Sequence, residues 1–176
     1  MTKITGIKLC QAYRKQHGCD FISAMPTNLY GQGDNYDLEK SHVVPALMRK
    51  MHEAKENGDK AVSVWGSGKP LREFLHVDDL ADALLFLMEN YAGEEHVNVG
   101  VGEDLSIREL AETIQQAVGF EGELVFDASK PDGTPRKLVD TTKINTLGWK
   151  AQTDLTRGLA DTYHWFLDEQ NKRGVS

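Results

Sequence analysis

Short apolar segments alternate along this 176-residue chain with longer segments of helical periodicity, and this alternation most constrains the fold. Apolar runs predict strands at 21–25, 62–65, 97–99 and 124–126. Amphipathic helices are predicted at 3–17, at 41–54, and after N-caps at Asp78 or Asp79, at Ser106 and at Asp154. Alternation of this kind favours an α/β fold with parallel strands. The strands are too few to complete a doubly wound sheet, so we expect an incomplete one.

Composition narrows the class of protein. Twenty basic residues against 27 acidic ones give a net charge of −7, which disfavours general nucleic-acid binding. Cys10 and Cys19 are the only cysteines, a number that favours a reducing compartment over a disulfide framework. No apolar run approaches the roughly 18–20 residues of a membrane span, and the first residues lack the apolar core of a signal peptide. We therefore expect a cytoplasmic protein with neither a nucleic-acid nor a membrane partner.

Residues 64–80 carry most of the functional information. They predict a strand, a glycine-hinged loop with an isolated arginine, and a helix that opens on two aspartates. The guanidinium of Arg72 suits bidentate phosphate recognition, and the alternative is a structural ion pair with Asp78 or Asp79. Trp65 either stacks on a base or fills the core, and core packing is the commoner fate of such a residue.

The loop at 127–137 is the second candidate binding segment. It holds Lys130, Arg136 and Lys137 around a Pro-Asp-Gly turn that contains Asp132. Three cations in one loop suit a diphosphate, and a carboxylate suits sugar hydroxyls. The alternative is an ordinary solvated turn.

Further candidates lie near the amino terminus. Lys3 alone is typical of a surface lysine. The segment 26–29 follows a predicted strand, where open α/β sheets bind ligands. His42 begins a helix whose dipole disfavours an added proton and so suits proton transfer, with capping or packing as the alternative. The histidines and cysteines show no metal-ligand spacing, so no metal site is predicted.

Together these segments resemble the GDP-L-fucose synthases, the GDP-4-keto-6-deoxy-D-mannose epimerase/reductases of the extended short-chain dehydrogenase/reductase family. The most specific matches are Arg72-Glu-Phe-Leu-His76 and Lys130-Pro-Asp-Gly-Thr-Pro-Arg-Lys137. Pro26-Thr-Asn-Leu-Tyr-Gly31 and Val77-Asp-Asp79 are shared widely among nucleotide-sugar epimerases and dehydratases. The resemblance covers the C-terminal half of such an enzyme only. The family's glycine-rich cofactor loop, its catalytic Ser and Cys, and the Tyr of its Tyr-x-x-x-Lys motif have no match here.

The resemblance implies an α/β architecture made of the C-terminal part of a Rossmann-type NAD(P)-binding fold and a small α/β substrate-binding domain. Residues 1–40 would be a remnant of the dinucleotide-binding domain, to which later segments can return. Residues 41–176 would form mainly the nucleotide-sugar substrate-binding domain.

The resemblance also implies roles for single residues. It gives catalytic roles to Lys3 and His42, His42 as the general acid of the epimerisation. It places NADP(H) against Lys3, Pro26, Thr27, Asn28, Leu29 and His42. It gives contacts with the GDP-sugar to Lys50, Trp65, Arg72 and Asp132. The family usually has Arg at the position of Lys50, and lysine keeps the charge but loses the bidentate fork.

The activity implied is conversion of GDP-4-keto-6-deoxy-D-mannose to GDP-L-fucose with NADPH, by an enzyme that works as a homodimer. We expect this chain alone to be inactive and to expose the apolar stripe of its first helix, with self-association or disorder of the first roughly 20 residues as the result. The alternatives are another nucleotide-sugar epimerase or dehydratase of the same family, and a non-catalytic nucleotide-sugar binding module. The first reading requires Arg72 and the turn around Asp132 to converge on one ligand.

Overall fold

Strands and helices alternate in the computed structural model, which describes residues 2–37 and 40–174. The helices are α1 Thr2–His17, α2 Val43–Asn57, α3 Val77–Asn90, α4 Ile107–Val118, α5 Thr142–Leu147 and α6 Leu155–Gly174. The strands are β1 Ala24–Pro26, β2 Asn28–Tyr30, β3 Ala61–Trp65, β4 Leu71–Arg72, β5 Phe74–His76, β6 Val97–Val99, β7 Leu105–Ser106, β8 Glu123–Asp127 and β9 Arg136–Lys137. The predicted α/β class is confirmed.

The strands pair in small groups, and most of the pairs are parallel. Parallel ladders join β1 to β6, β2 to β5 and β3 to β8. A three-stranded group has the order β7-β4-β9, in which β4 is antiparallel to β7 and parallel to β9. Because parallel neighbours need long crossover connections, the helices lie between the paired strands in sequence. The first strand begins at Ala24 rather than at residue 21, and the five strands β2, β4, β5, β7 and β9 were not predicted. The short helix α5 was not predicted.

Two predicted helix starts are confirmed. The Ser106 hydroxyl accepts the N–H of Glu109 at 3.1 Å, and the Glu109 carboxylate accepts the N–H of Ser106 at 2.7 Å. This reciprocal capping box fixes the start of α4. At α6 the Asp154 carboxylate accepts the N–H of Arg157 at 3.2 Å.

The predicted cap of α3 was wrong. The helix begins after His76, whose ring Nδ1 accepts the N–H of Asp78 at 3.3 Å. Strand β5 leads directly into α3, so its last residue, His76, occupies the N-cap position. The first-turn N–H of Asp78 is therefore bonded to His76 rather than to an aspartate side chain. Asp79 is buried and accepts instead the backbone N–H groups of Gln152 and Thr153, at 3.3 and 3.0 Å.

The buried apolar side chains form two clusters. The larger one joins α2, α4 and α6 with β3, and includes Val44, Leu47, Met48, Met51, Val64, Leu110, Ile114, Leu159, Tyr163 and Phe166. The smaller one joins β5, α3, β6 and α5, and includes Leu75, Ala83, Leu87, Val97, Val99, Ile144 and Trp149. Each fully buried large side chain contributes about 1.5–3 kcal/mol. Ile22, Ala24 and Leu29 pack against the smaller cluster, together with much later parts of the chain. The domain boundary at residue 40 stays a prediction.

Two helices expose apolar side chains. On α1, Ile4 is 68% and Tyr13 is 44% exposed, whereas Ile7 and Cys10 are half-buried. On α3, helical periodicity predicts that Leu84 and Met88 face inward, but they are 40% and 74% exposed. The helical period was correct, but periodicity alone did not show how wide the buried face is. Only the stripe around Ala83 and Leu87 is buried against the core. Whether these exposed faces cause self-association stays a prediction.

Within the described residues, no helix is both long and apolar enough to cross a membrane.

Candidate functional site

A cleft of about 720 Å³ lies where β1 and β2 end and α2 begins. Of the residues to which the resemblance gives a role, its walls contain all except Lys50, namely Lys3, Pro26, Thr27, Asn28, Leu29, His42, Trp65, Arg72 and Asp132. These residues are spread over 130 positions of the chain and come from α1, β1, β2, β3, β4 and three connecting segments. The fold therefore brings one set of candidate ligand-binding groups into one cavity.

The Arg72 guanidinium faces this cleft from β4. Its Nη1 donates to the carbonyl of Leu71 at 2.7 Å, and no ion pair in the described part of the chain includes it. The alternative of a structural pair with Asp78 or Asp79 is therefore wrong. Because a Cβ on Gly133 would lie 3.7 Å from Nη2, the guanidinium lies against the turn that contains Asp132.

Trp65 ends β3 with 64% of its surface exposed, so it does not fill the core. Two ammonium groups lie beside its indole, Lys50 Nζ at 5.1 Å and Lys130 Nζ at 5.6 Å from the ring centroid. This is cation–π distance. Lys50 does not line the cleft, but its charge reaches the rim through this contact. The result is a flat aromatic surface with positive charge beside it, which suits a planar ligand that carries an anionic group.

Ser67 and Asp132 join the two loops that border the cleft. The Ser67 backbone N–H and hydroxyl donate to the two carboxylate oxygens of Asp132 at 2.6 and 2.8 Å. These bonds hold the pKa of Asp132 below its usual value of 3.8, and the bond from the backbone N–H has the largest effect. Gly66 permits the close approach, because a Cβ there would lie 2.5 Å from the carboxylate and the residue has a φ of +86°. Sequence reasoning missed Ser67, for which the short Gly-Ser-Gly loop was the one local signal.

The three cations of the 127–137 loop have different surroundings. The guanidinium of Arg136 forms two hydrogen bonds with Asp104, at 2.6 and 3.1 Å, and these lower the pKa of that carboxylate. Arg136 is thus paired with Asp104 and does not line the cleft, and whether it meets a diphosphate stays a prediction. Lys137 does line the cleft, with its Nζ 3.5 Å from Asn28 Oδ1. Lys130 lies beside Trp65, as described above.

His42 and Lys3 lie at the opposite wall of the cleft. His42 occupies the N-cap position of α2 in an extended conformation, and its side chain makes no capping hydrogen bond. The capping alternative is therefore wrong, and the exposed imidazole borders the cleft. Lys3 projects from the first turn of α1 into the same cavity. What either side chain binds stays a prediction.

The profile of the NAD dependent epimerase/dehydratase family matches residues 1–100, which is more than half of the chain. The chain belongs to the NAD dependent epimerase/dehydratase family. Members of this family named as GDP-L-fucose synthases are similar to nearly the whole chain. "Probable GDP-L-fucose synthase 1" of Oryza sativa subsp. japonica is 61% identical over 96% of this chain and 51% of its own length. The GDP-L-fucose synthase of Escherichia coli K12 is 53% identical over 98% of this chain and 56% of its own.

Solved structures in the family show the same architecture. A GDP-L-fucose synthetase from Naegleria fowleri, solved with NADP bound, superposes with a TM-score of 0.88 at 38% identity over 94% of this chain and 54% of its own. The predicted relationship to a Rossmann-type NAD(P)-binding fold is thereby confirmed. The chain spans about half the length of the curated relatives it matches.

Proposed function

We propose that this chain is the substrate-binding portion of an NADP-dependent epimerase/reductase that converts GDP-4-keto-6-deoxy-D-mannose to GDP-L-fucose. The observation that carries the proposal is the convergence of Arg72, Trp65 and the Asp132 turn on one cleft. The names of the similar proteins support the choice of a GDP-sugar.

The electrostatics of the cleft suit the diphosphate of a GDP-sugar. Arg72 carries a permanent charge in a planar fork that matches two phosphate oxygens. Lys137 adds a second cation on the same wall, and Lys50 adds a third beside Trp65. The exposed indole of Trp65 offers a stacking surface for the guanine ring.

The sugar is proposed to lie between Arg72 and His42. A 4-keto group acidifies the protons on C3 and C5, so an acid/base pair can invert both centres through enolate intermediates. His42 is proposed to hold the proton that returns to the sugar carbon. Its position at the helix N-terminus, with a ring that makes no capping bond, supports this role.

The residues at the strand ends fit the nicotinamide ribose end of NADPH. The ammonium of Lys3 and the amide of Asn28 are the kinds of group that bind ribose hydroxyls, and both lie in the cleft. Pro26, Thr27 and Leu29 supply the adjoining wall. When bound, NADPH supplies the hydride that reduces C4.

Compartment and assembly belong to the same proposal. Both Cys10 and Cys19 are unpaired, which supports a reducing compartment such as the cytoplasm. From the resemblance to the family, we propose that the protein functions as a homodimer. Sedimentation of the protein at several concentrations tests it, and a mass of one chain throughout contradicts it.

Calorimetric titration with GDP, UDP and GDP-L-fucose tests the proposed substrate class. We expect GDP and GDP-L-fucose to bind, with UDP at least about tenfold weaker. Arg72→Ala should weaken GDP binding by about tenfold or more, since it removes a charged hydrogen-bonding partner of the phosphates. Arg157→Ala is the matched control, because it removes an exposed arginine of α6 that lies outside the cleft. Preference for UDP would instead indicate a different nucleotide-sugar enzyme, and equal GDP affinity in both variants would overturn the proposed site.

A further inference from the structure

We infer that Glu73 is a positioning residue that holds the substrate-binding and cofactor-contacting walls of the cleft in register. The inference rests on the proposed function, since it assigns those two walls their ligands. Glu73 itself does not line the cleft. It acts through the segments it holds.

The Glu73 carboxylate is completely buried. Its Oε1 accepts the backbone N–H of Gly102 at 2.7 Å, and its Oε2 accepts that of Val139 at 3.1 Å. A buried carboxylate is costly unless its oxygens are hydrogen-bonded, so the side chain is fixed by these two bonds. Gly100 leaves room for the group, because a Cβ there would overlap the carboxylate.

The main chain of the same residue holds a third segment. The carbonyl oxygen of Glu73 accepts the amide Nδ2 of Asn28 at 2.8 Å and the hydroxyl of Thr27 at 3.3 Å. Both donors lie in the strand-end segment proposed to contact NADP(H). Glu73 therefore bonds to the start of β2 through its backbone and to two later loops through its side chain.

The strand-end segment, the segment of Glu73 itself and the segment of Val139 each carry a residue of the cleft. Arg72 immediately precedes Glu73, and Lys137 lies two residues before Val139. A shift of the carboxylate therefore moves the proposed diphosphate ligands relative to Asn28. Displacements of about 1 Å are enough to lower binding and catalysis strongly. The physical reason for a glutamate here is that the two oxygens of one side chain accept from two N–H groups at once.

Glu73→Gln is the direct test, because it keeps the shape and replaces one acceptor with an NH₂ donor that faces a backbone N–H. We expect a lower melting temperature together with GDP binding that is about tenfold weaker. The matched control is Asp79→Asn. Asp79 is also a buried carboxylate that accepts two backbone N–H groups, but the residues that it holds, Gln152 and Thr153, lie outside the cleft. The Asp79→Asn substitution should lower the melting temperature and leave GDP affinity unchanged.

The outcomes separate this inference from the proposed function. If the unaltered chain does not bind GDP, the proposed function fails. If it binds GDP and folded Glu73→Gln binds equally well, or if Asp79→Asn weakens binding as much at equal loss of stability, only the positioning role fails.

A measurement on the unaltered protein covers the case in which Glu73→Gln does not fold. Bound GDP should slow hydrogen exchange of the Gly102 and Val139 amides, since it restrains the segments that Glu73 joins. The N–H groups of Gln152 and Thr153, held by Asp79, should exchange at unchanged rates. Unchanged exchange at Gly102 and Val139 with GDP bound would contradict the inference.

Discussion

Ser67 donates two hydrogen bonds to Asp132, and this pair fastens the 127–137 loop to the end of the strand that carries Trp65. The residues are 65 positions apart in the chain, and one of the bonds uses a backbone N–H. The pair therefore sets the separation between Trp65 on one side and the turn beside Arg72 on the other. We call it the Ser67–Asp132 contact.

Removal of the Ser67 hydroxyl should loosen this border of the cleft. Ser67→Ala leaves the backbone bond and removes the bond to Oδ2, so we expect GDP binding to weaken by about three- to tenfold. Ser129→Ala is the control, because that hydroxyl also bonds to an aspartate, Asp127 at the end of β8, and its loss leaves the bonds between Ser67 and Asp132 in place. Titration calorimetry measures both variants. Equal affinities for the two would show that the contact does not shape the site.

The Ser67–Asp132 contact should also persist to low pH. The Ser67 donors hold the pKa of Asp132 below 3.8, so the ionised contact is fully present above that value and is lost as the pH falls through the lowered pKa. A carboxyl ¹³C titration should give a midpoint below 3.8 for Asp132, and Ser67→Ala should raise it. A midpoint that Ser67→Ala leaves unchanged would contradict the assigned cause.

Lys50 offers a test of phosphate recognition by geometry. Lys50→Arg keeps the charge beside Trp65 and adds a planar fork, so we expect GDP to bind about three- to tenfold more tightly. GMP has one phosphate fewer, so the substitution should increase its affinity less. Lys60→Arg makes the same exchange at an exposed residue before β3 and should change neither affinity. Tighter binding in Lys60→Arg as well would show that the gain does not depend on the position of Lys50 beside Trp65.

Gly68 should be essential for the loop between Trp65 and Arg72. Its φ is +77°, and an added Cβ would lie 2.5 Å from the ring of Phe126. The Arg108 guanidinium packs on the same ring, with its Cζ 3.9 Å from the ring centroid. Gly68→Ala should therefore cost about 1–2 kcal/mol for the left-handed backbone and about 1–3 kcal/mol more for the overlap.

Gly58→Ala separates these two costs. Gly58 has a φ of +71° and nothing within 4 Å of an added Cβ, so only the backbone cost applies there. Urea unfolding monitored by circular dichroism gives both free energies. Equal losses in the two variants would show that the Phe126 ring moves aside without cost.

Part of the candidate site could be predicted from the sequence because it depends on residue chemistry and short motifs. The Arg72 and Asp132 segments were selected as single motifs, and the fold places both in one cleft. Their partners could not be predicted in the same way. The pairing of Arg136 with Asp104 and the burial of Glu73 join segments that are tens of residues apart, and no local pattern encodes such contacts.

By itself, the sequence determined the α/β class, the amphipathic helix α2 and the capping box of α4, because periodicity and capping act over three or four residues. Tertiary structure alone decided that His76 begins α3, that Met88 is exposed, and that Trp65 lies on the surface. Each of these outcomes depends on which distant segment occupies the neighbouring space. Burial and long-range hydrogen bonds are properties of the packed chain, so they are settled only when the chain is folded.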